Sequence, residues 1–162
     1  MDKTEYTEWV PAGRLVKGLF AMVTVLVIVV SIAVLLFSQD PFIENIVAVG
    51  FSWGILVFLL FIYWNYRGLS IRIKDNTLFL SYGLFNKKSF SLSDIVSCRK
   101  TKAFGRYLGV GVRYGLDDSM AYTTSFSNAV EVTPKEGRVF VFSSKNPDKI
   151  CQIIEANRPG TK

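Results

Sequence analysis

The sequence of 162 residues contains no histidine and only two cysteines, Cys98 and Cys151. Histidine is the commonest general base and metal ligand, so its absence argues against an acid–base enzyme and against a histidine metal centre. Two cysteines cannot form a dense disulfide framework, and we expect both to be small, buried apolar side chains. No other nucleophile lies at a spacing that would pair it with a base. We therefore expect neither an enzymatic activity nor a cofactor.

Charged residues are missing from two long apolar runs, residues 19–37 and 46–66, which only residues 38–45 separate. Each run is long enough to cross a bilayer core of about 30 Å as a helix. We therefore predict a hairpin of transmembrane helices at about residues 15–37 and 46–66. No small-residue cleavage site follows the first run, which favours a retained anchor over a signal peptide. The lack of charge inside both runs argues against an ion path.

Acidic and basic residues divide between the two ends of this hairpin. The connecting loop carries only Asp40 and Glu44, whereas bases flank the outer ends of the runs: Arg14, Lys17, Arg67, Arg72 and Lys74. Loops on the cytoplasmic side carry an excess of Lys and Arg. We therefore expect a multi-pass protein of the plasma membrane with both termini in the cytoplasm.

A pair of glycines, Gly50 and Gly54, lies at G-x-x-x-G spacing in the second run. Small residues at this spacing let two helices approach closely. We favour a packing contact with the first helix, through Ala33 or Ser31. A contact with a second copy of the chain is the alternative, and a homo-oligomer stays open.

Residues 67–162 form the second predicted domain, after an N-terminal segment and hairpin at 1–66. This second part has 16 Lys and Arg against 8 Asp and Glu, a net charge of +8. Alternating apolar and polar residues, separated by turn residues, predict short strands. They lie at 69–74, 77–82, 88–92, 95–102, 110–114, 120–123, 129–133 and 138–143. Asn146, Pro147 and Asp148 then begin an amphipathic helix. The predicted class is α+β, with seven to eight antiparallel strands in a barrel or sandwich and a capping C-terminal helix.

The order of several loose motifs resembles the bacterial pleckstrin-homology-like (PH-like) domain of small membrane proteins. The motifs are residues 78–83, 90–95, 109–115, 129–132 and 138–142, followed by residues 146–148. The family pattern often has an aromatic residue before the second glycine of G-x-G-x-R, where this chain has Val110. The resemblance, over about residues 69–157, implies a fold and a membrane setting but no activity.

Basic residues with interleaved aromatics are concentrated between residues 99 and 107: Arg99, Lys100, Lys102 and Arg106. One interpretation is a site for anionic lipid headgroups, and the other is a solvated basic face. Arg113 is a further candidate for lipid contact, although pairing with Asp117 or Asp118 is the more ordinary role for such an arginine.

The expected function is a binding or scaffolding module at the cytoplasmic membrane surface. Its expected partners are the lipid bilayer, in particular anionic lipid, and a protein partner, but not nucleic acid. The alternative is an accessory subunit of a larger membrane complex, in which the helices carry the function.

Overall fold

The computed structural model describes residues 5–38, 41–102, 110–115, 117–125 and 128–157. The chain divides into two compact units, Arg14–Asn65 and the combination of Met1–Gly13 with Tyr66–Lys162. The second unit, here called the sheet domain, therefore includes the residues before the hairpin. This division differs from the expected one between residues 66 and 67, because an N-terminal strand joins the sheet domain.

The hairpin consists of α1 (Arg14–Phe37) and α2 (Phe42–Asn65). Both helices are long and apolar enough to cross a membrane, as the two uncharged runs predict. They contact each other at Ser31, whose hydroxyl accepts a hydrogen bond from Trp53 Nε1 at 3.1 Å. The rings of Phe20 and Tyr63 add a second contact, with centroids 4.8 Å apart.

The first sheet has four antiparallel strands in the order β1-β2-β3-β4. They are β1 (Tyr6–Pro11), β2 (Gly68–Lys74), β3 (Thr77–Tyr82) and β4 (Asn86–Ser91). β2 and β3 are joined by Asp75 and Asn76, both with positive φ, as a type I′ hairpin turn requires. β1 pairs with β2 so that Pro11 lies opposite Gly68. The strand before the hairpin of α1 and α2 thus pairs with the strand after it.

The second sheet has five strands in the order β5-β8-β9-β7-β6. They are β5 (Ile95–Lys102), β6 (Gly111–Tyr114), β7 (Met120–Thr123), β8 (Asn128–Pro134) and β9 (Phe140–Ser143). β7 and β9 run parallel, and the other pairs are antiparallel. The sheet is therefore mixed, whereas the sequence analysis expected antiparallel strands throughout.

The two sheets and α3 (Pro147–Ala156) share one hydrophobic core. Ile150 and Ile154 of α3 are fully buried in it, as their helical spacing predicts. The α+β class and the C-terminal helix are confirmed. Within the described residues the strands form two separate sheets and not one closed barrel.

Candidate membrane-facing end of the sheet domain

The strand register gives the sheet domain two distinct ends. We call the end where the chain continues into α1 and α2 the helix-side end. There, the amide of Ala12 donates to the carbonyl of Arg67 at 2.7 Å, and the amide of Gly13 donates to the carbonyl of Thr124 at 2.7 Å. The second bond links the two sheets, so the helix-side end of both is the same end of the domain.

The turn 83–85 between β3 and β4 lies at the helix-side end, as the pairing of the flanking residues shows. β5 ends and β6 begins at this end, and β7 ends and β8 begins there too. Residues 103–109, 126 and 127, which connect these strands in sequence, lie outside the described residues. The sequences of the three connections contain no Asp or Glu.

Acidic residues are concentrated instead at the opposite end, here called the far end. Every strand connection there carries at least one exposed carboxylate: Asp75, Asp94, Asp117, Asp118 and Glu136. Contacts between connections also mark this end, because the amide of Lys135 donates to the carbonyl of Asp94 at 2.7 Å. The turns of the far end therefore carry carboxylates, whereas the described turn residues at the helix-side end carry none.

The predicted basic stretch does not form one patch. Arg99 donates to the buried carboxylate of Glu131, with Nη2 to Oε1 at 2.6 Å. Lys100 pairs with Asp148 on α3 at 2.8 Å. Both cations lie in the middle of β5 and contact carboxylates of neighbouring elements. These ion pairs give them a structural role that local sequence could not reveal.

The other predicted basic residues have different positions. Lys102 is exposed and ends β5 at the helix-side end. Arg106 lies outside the described residues. Arg113 is exposed on β6, whereas Asp118, one of its expected partners, forms an ion pair with Arg138 at 3.1 Å. Of the predicted lipid-binding residues that the structure describes, Lys102 is therefore the one at the helix-side end.

Two lysines and two apolar residues that the sequence analysis did not select lie at the same end. Leu84 and Phe85 form the turn between β3 and β4, and their side chains are 53% and 76% exposed. Lys87 and Lys88 follow on β4, and both are exposed. The sequence signal for this group is Leu-Phe, one Asn and then Lys-Lys, directly after Gly83.

A shallow cleft of about 180 Å³ lies beside these lysines, lined by Phe79, Leu80, Ser81, Lys87, Lys88 and Ser89. Pockets for drug-sized ligands usually measure about 300 to 1,000 Å³. We therefore assign no small-molecule ligand to the cleft. Among the residues that the structure describes, no three His, Cys, Asp or Glu side chains are placed to hold a metal ion.

A cluster of tyrosines fixes the turn at the helix-side end. The ring of Tyr82 lies 5.5 Å from that of Tyr66 and 6.0 Å from that of Tyr122, between centroids. The hydroxyl of Tyr66 accepts a hydrogen bond from Asn86 Nδ2 at 3.2 Å. The residues on both sides of the turn 83–85 therefore contact Tyr66, the residue that directly follows α2.

Cys98 and Cys151 form a disulfide bond between β5 and α3, with their Cα atoms 5.4 Å apart. The expectation of two separate cysteines is therefore wrong. The pairing depends on α3 lying along β5, which the ion pair of Lys100 with Asp148 also reflects. The two cysteines are 53 residues apart in sequence, so local sequence patterns could not predict this contact.

Gly50 and Gly54 lie on an exposed face of α2. A Cβ atom added to either glycine would meet nothing within 4 Å. The contact that we favoured for them, against α1, is made instead by Ser31 with Trp53. Contact with a second copy or another protein stays a prediction.

Comparisons with known protein families, with curated proteins and with solved structures found no match for this chain.

Proposed function

We propose that this chain is a membrane-anchored binding or scaffolding module, without catalytic activity, whose sheet domain binds anionic lipid at its helix-side end. The two-sheet architecture with a C-terminal helix is compatible with the PH-like fold that the sequence motifs suggest, and we retain that assignment as part of the proposal. The contrast in charge between the turns of the two ends is the observation that carries it.

The charge argument rests on distance from the bilayer. Screened attraction acts over a Debye length of about 8 Å at physiological salt, so only bases near the surface contribute. Each such base adds on the order of 1 kcal/mol of attraction to an anionic leaflet. Lys87, Lys88 and Lys102 are at the end from which the chain enters the helices. The acids of the far-end turns are at the other end of the strands and oppose this attraction little.

The orientation of the chain has two sources of support. β1 and β2 pair with each other, so the segments before α1 and after α2 lie on the same side of a membrane that both helices cross. Arg14 and Lys17 lie in the first turn of α1 and Arg67 follows α2, whereas Glu44 lies at the loop end of α2. The positive-inside rule therefore favours a cytoplasmic sheet domain and a plasma-membrane location.

The alternative function is that of an accessory subunit in a larger membrane complex. The observation that favours it is the exposed face of α2 at Gly50 and Gly54, where a neighbouring helix could approach closely. Purification in a mild detergent would distinguish the two functions, because a subunit retains a stoichiometric partner protein and a lipid-binding module retains lipid.

The lipid-binding proposal can be tested with the full chain in nanodiscs of neutral lipid alone or of neutral and anionic lipid together. We expect anionic lipid to slow amide hydrogen exchange in the turn 83–85 and at the end of β5. Added salt should remove this effect, since the attraction is screened.

The charge variant replaces Lys87, Lys88 and Lys102 with Gln, and a matched control replaces Lys74, Lys135 and Arg138 at the far end. Both triple variants lose three positive charges. Only the helix-side variant should lose the protection by anionic lipid. Equal exchange of the wild type in both kinds of nanodisc would contradict the proposal.

A further inference from the structure

We propose that the turn between β3 and β4 inserts its apolar residues, Leu84 and Phe85, into the headgroup layer of the bilayer that α1 and α2 cross. This site is distinct from the electrostatic contact above. It rests on the proposed function only in that the helix-side end faces the bilayer. Its occupant is the lipid layer itself, whether neutral or anionic.

The position of the turn is the first argument. Tyr66 directly follows Asn65, the last residue of α2, and tyrosine at a helix end favours the headgroup layer. Tyr66 contacts Tyr82 and Asn86, the residues that flank the turn. Phe85 directly precedes Asn86, so the turn lies beside Tyr66, the residue that follows α2.

The chemistry of the turn is the second argument. Phe85 is 76% exposed and Leu84 is 53% exposed, although neither belongs to a membrane helix. The far-end turns are polar or acidic by contrast, as at Asp75 and Asn76. An exposed apolar pair would be unfavourable in water but is stabilised where acyl chains begin.

The lysines next to the turn complete the pattern. Lys87 and Lys88 follow it on β4, and lysine places its apolar stem along apolar surface while its ammonium group reaches phosphate. Apolar tip residues followed by bases match the layers of a bilayer surface, with acyl chains innermost and phosphates outside them. This layered match favours lipid over a protein partner as the occupant.

The test places a photo-crosslinking phenylalanine analogue in the full chain, reconstituted in vesicles of neutral lipid. The analogue replaces Phe85 in one protein and Tyr114 in the control. Tyr114 is an aromatic residue that is 64% exposed and lies on β6 next to the far end. We expect severalfold more lipid adducts from position 85 than from position 114, and the same yield at high salt.

The outcomes separate this proposal from the proposed function. Protection by anionic lipid without lipid adducts at position 85 would overturn the insertion alone. Adducts at position 85 in neutral lipid, without any effect of anionic lipid on exchange, would support the insertion and contradict the electrostatic contact. Adducts to a second copy of the chain at position 85 would assign the turn to a contact between copies and overturn lipid insertion.

Discussion

Tyr82 is a buried tyrosine whose hydroxyl group contributes to the stability of the helix-side end. Its side chain is 2% exposed, and its hydroxyl donates to the carbonyl of Thr123 at 3.3 Å. Burial raises the pKa of Tyr82 to about 12, the neighbouring Tyr66 acts in the same direction, and Arg113 opposes both. Burial also raises the pKa of Tyr6 and of Tyr122.

The sheet domain should therefore lose stability in alkali. An unfolded tyrosine ionises near pH 10, whereas native Tyr82 keeps its proton to about pH 12. The stability from this shift is complete below pH 10 and is lost as the pH rises towards 12, by about 2.7 kcal/mol at most. Thermal unfolding of the purified chain, followed by circular dichroism, should show this fall.

Tyr82→Phe is the matched variant, because it keeps the ring and removes the ionisable group. It should cost about 1 kcal/mol at neutral pH through the lost hydrogen bond, and its stability should fall less steeply above pH 10. A fall as steep as that of the wild type would show that Tyr82 does not carry the effect.

Residue-scale features were predictable where they depend on local pattern. Alternation predicted that Ile71 and Ile73 are buried, and the structure confirms it. It could not predict that Arg99 meets Glu131, because the pairing register of β5 with β8 decides which side chains meet. Four neighbouring bases in sequence therefore looked like one patch, although two of them contact carboxylates from distant parts of the chain.

At the scale of elements, β1 is the strand that the sequence analysis missed. The strand alternates in burial, but one of its inward side chains is Glu8, whose charge conceals the pattern. The carboxylate of Glu8 accepts hydrogen bonds from Ser144 Oγ at 2.9 Å and from the amide of Lys145 at 2.5 Å. A buried charge is tolerated when it is hydrogen-bonded in this way. These bonds join β1 to the segment that leads into α3.

The neighbouring elements explain why other predictions succeeded. β3, β5 and β7 have the bounds that alternation and turn residues predict. Local pattern determines such bounds, whereas the parallel pairing of β7 with β9 and the division into two sheets depend on contacts between distant segments.

We predict that the sheet domain folds without the hairpin if β1 is retained. Pro11 lies opposite Gly68, so residues 14–65 can be replaced by a short Gly-Ser linker. This protein should unfold cooperatively in urea and be more stable than a fragment of residues 66–162. The reason is that β2, without β1, becomes an exposed edge strand.

The control for that experiment is Glu8→Ala in the linked protein. It should lower the free energy of unfolding by about 2 to 3 kcal/mol, because the hydrogen bonds to the carboxylate are lost. Equal stability of the linked protein and the shorter fragment would mean that β1 is dispensable.

At the scale of the whole molecule, the disulfide and the charge distribution indicate opposite sides of the membrane for the sheet domain. Disulfides persist in oxidising compartments and are rare in the cytosol, whereas the bases at the hairpin ends favour the cytoplasm. Our proposal of a cytoplasmic domain therefore requires that Cys98 and Cys151 exist as thiols in a mesophilic cell and form the bond on oxidation.

Thiol trapping in intact cells tests this requirement. An added permeant alkylating reagent should modify both cysteines before lysis, whereas lysis in air without the reagent should yield the disulfide. As an independent measurement, Gln39→Cys in a background with Ala at both native cysteines should react with an impermeant reagent from outside. A disulfide already present before lysis, together with an unreactive residue 39, would reverse the orientation.

The pairing of β1 with β2 also imposes an order on biosynthesis. β1 leaves the ribosome before either helix, yet its partner strand begins only at Gly68, after both helices have been made. Sheet completion must therefore wait until both helices have been made and, in the proposed arrangement, inserted. If only one helix crossed, β1 and β2 would be on opposite sides of the bilayer, and the unprotected edge of β2 would favour aggregation. A chain in which a single helix has crossed therefore cannot complete the first sheet, whereas a chain with both hairpin ends on one side can.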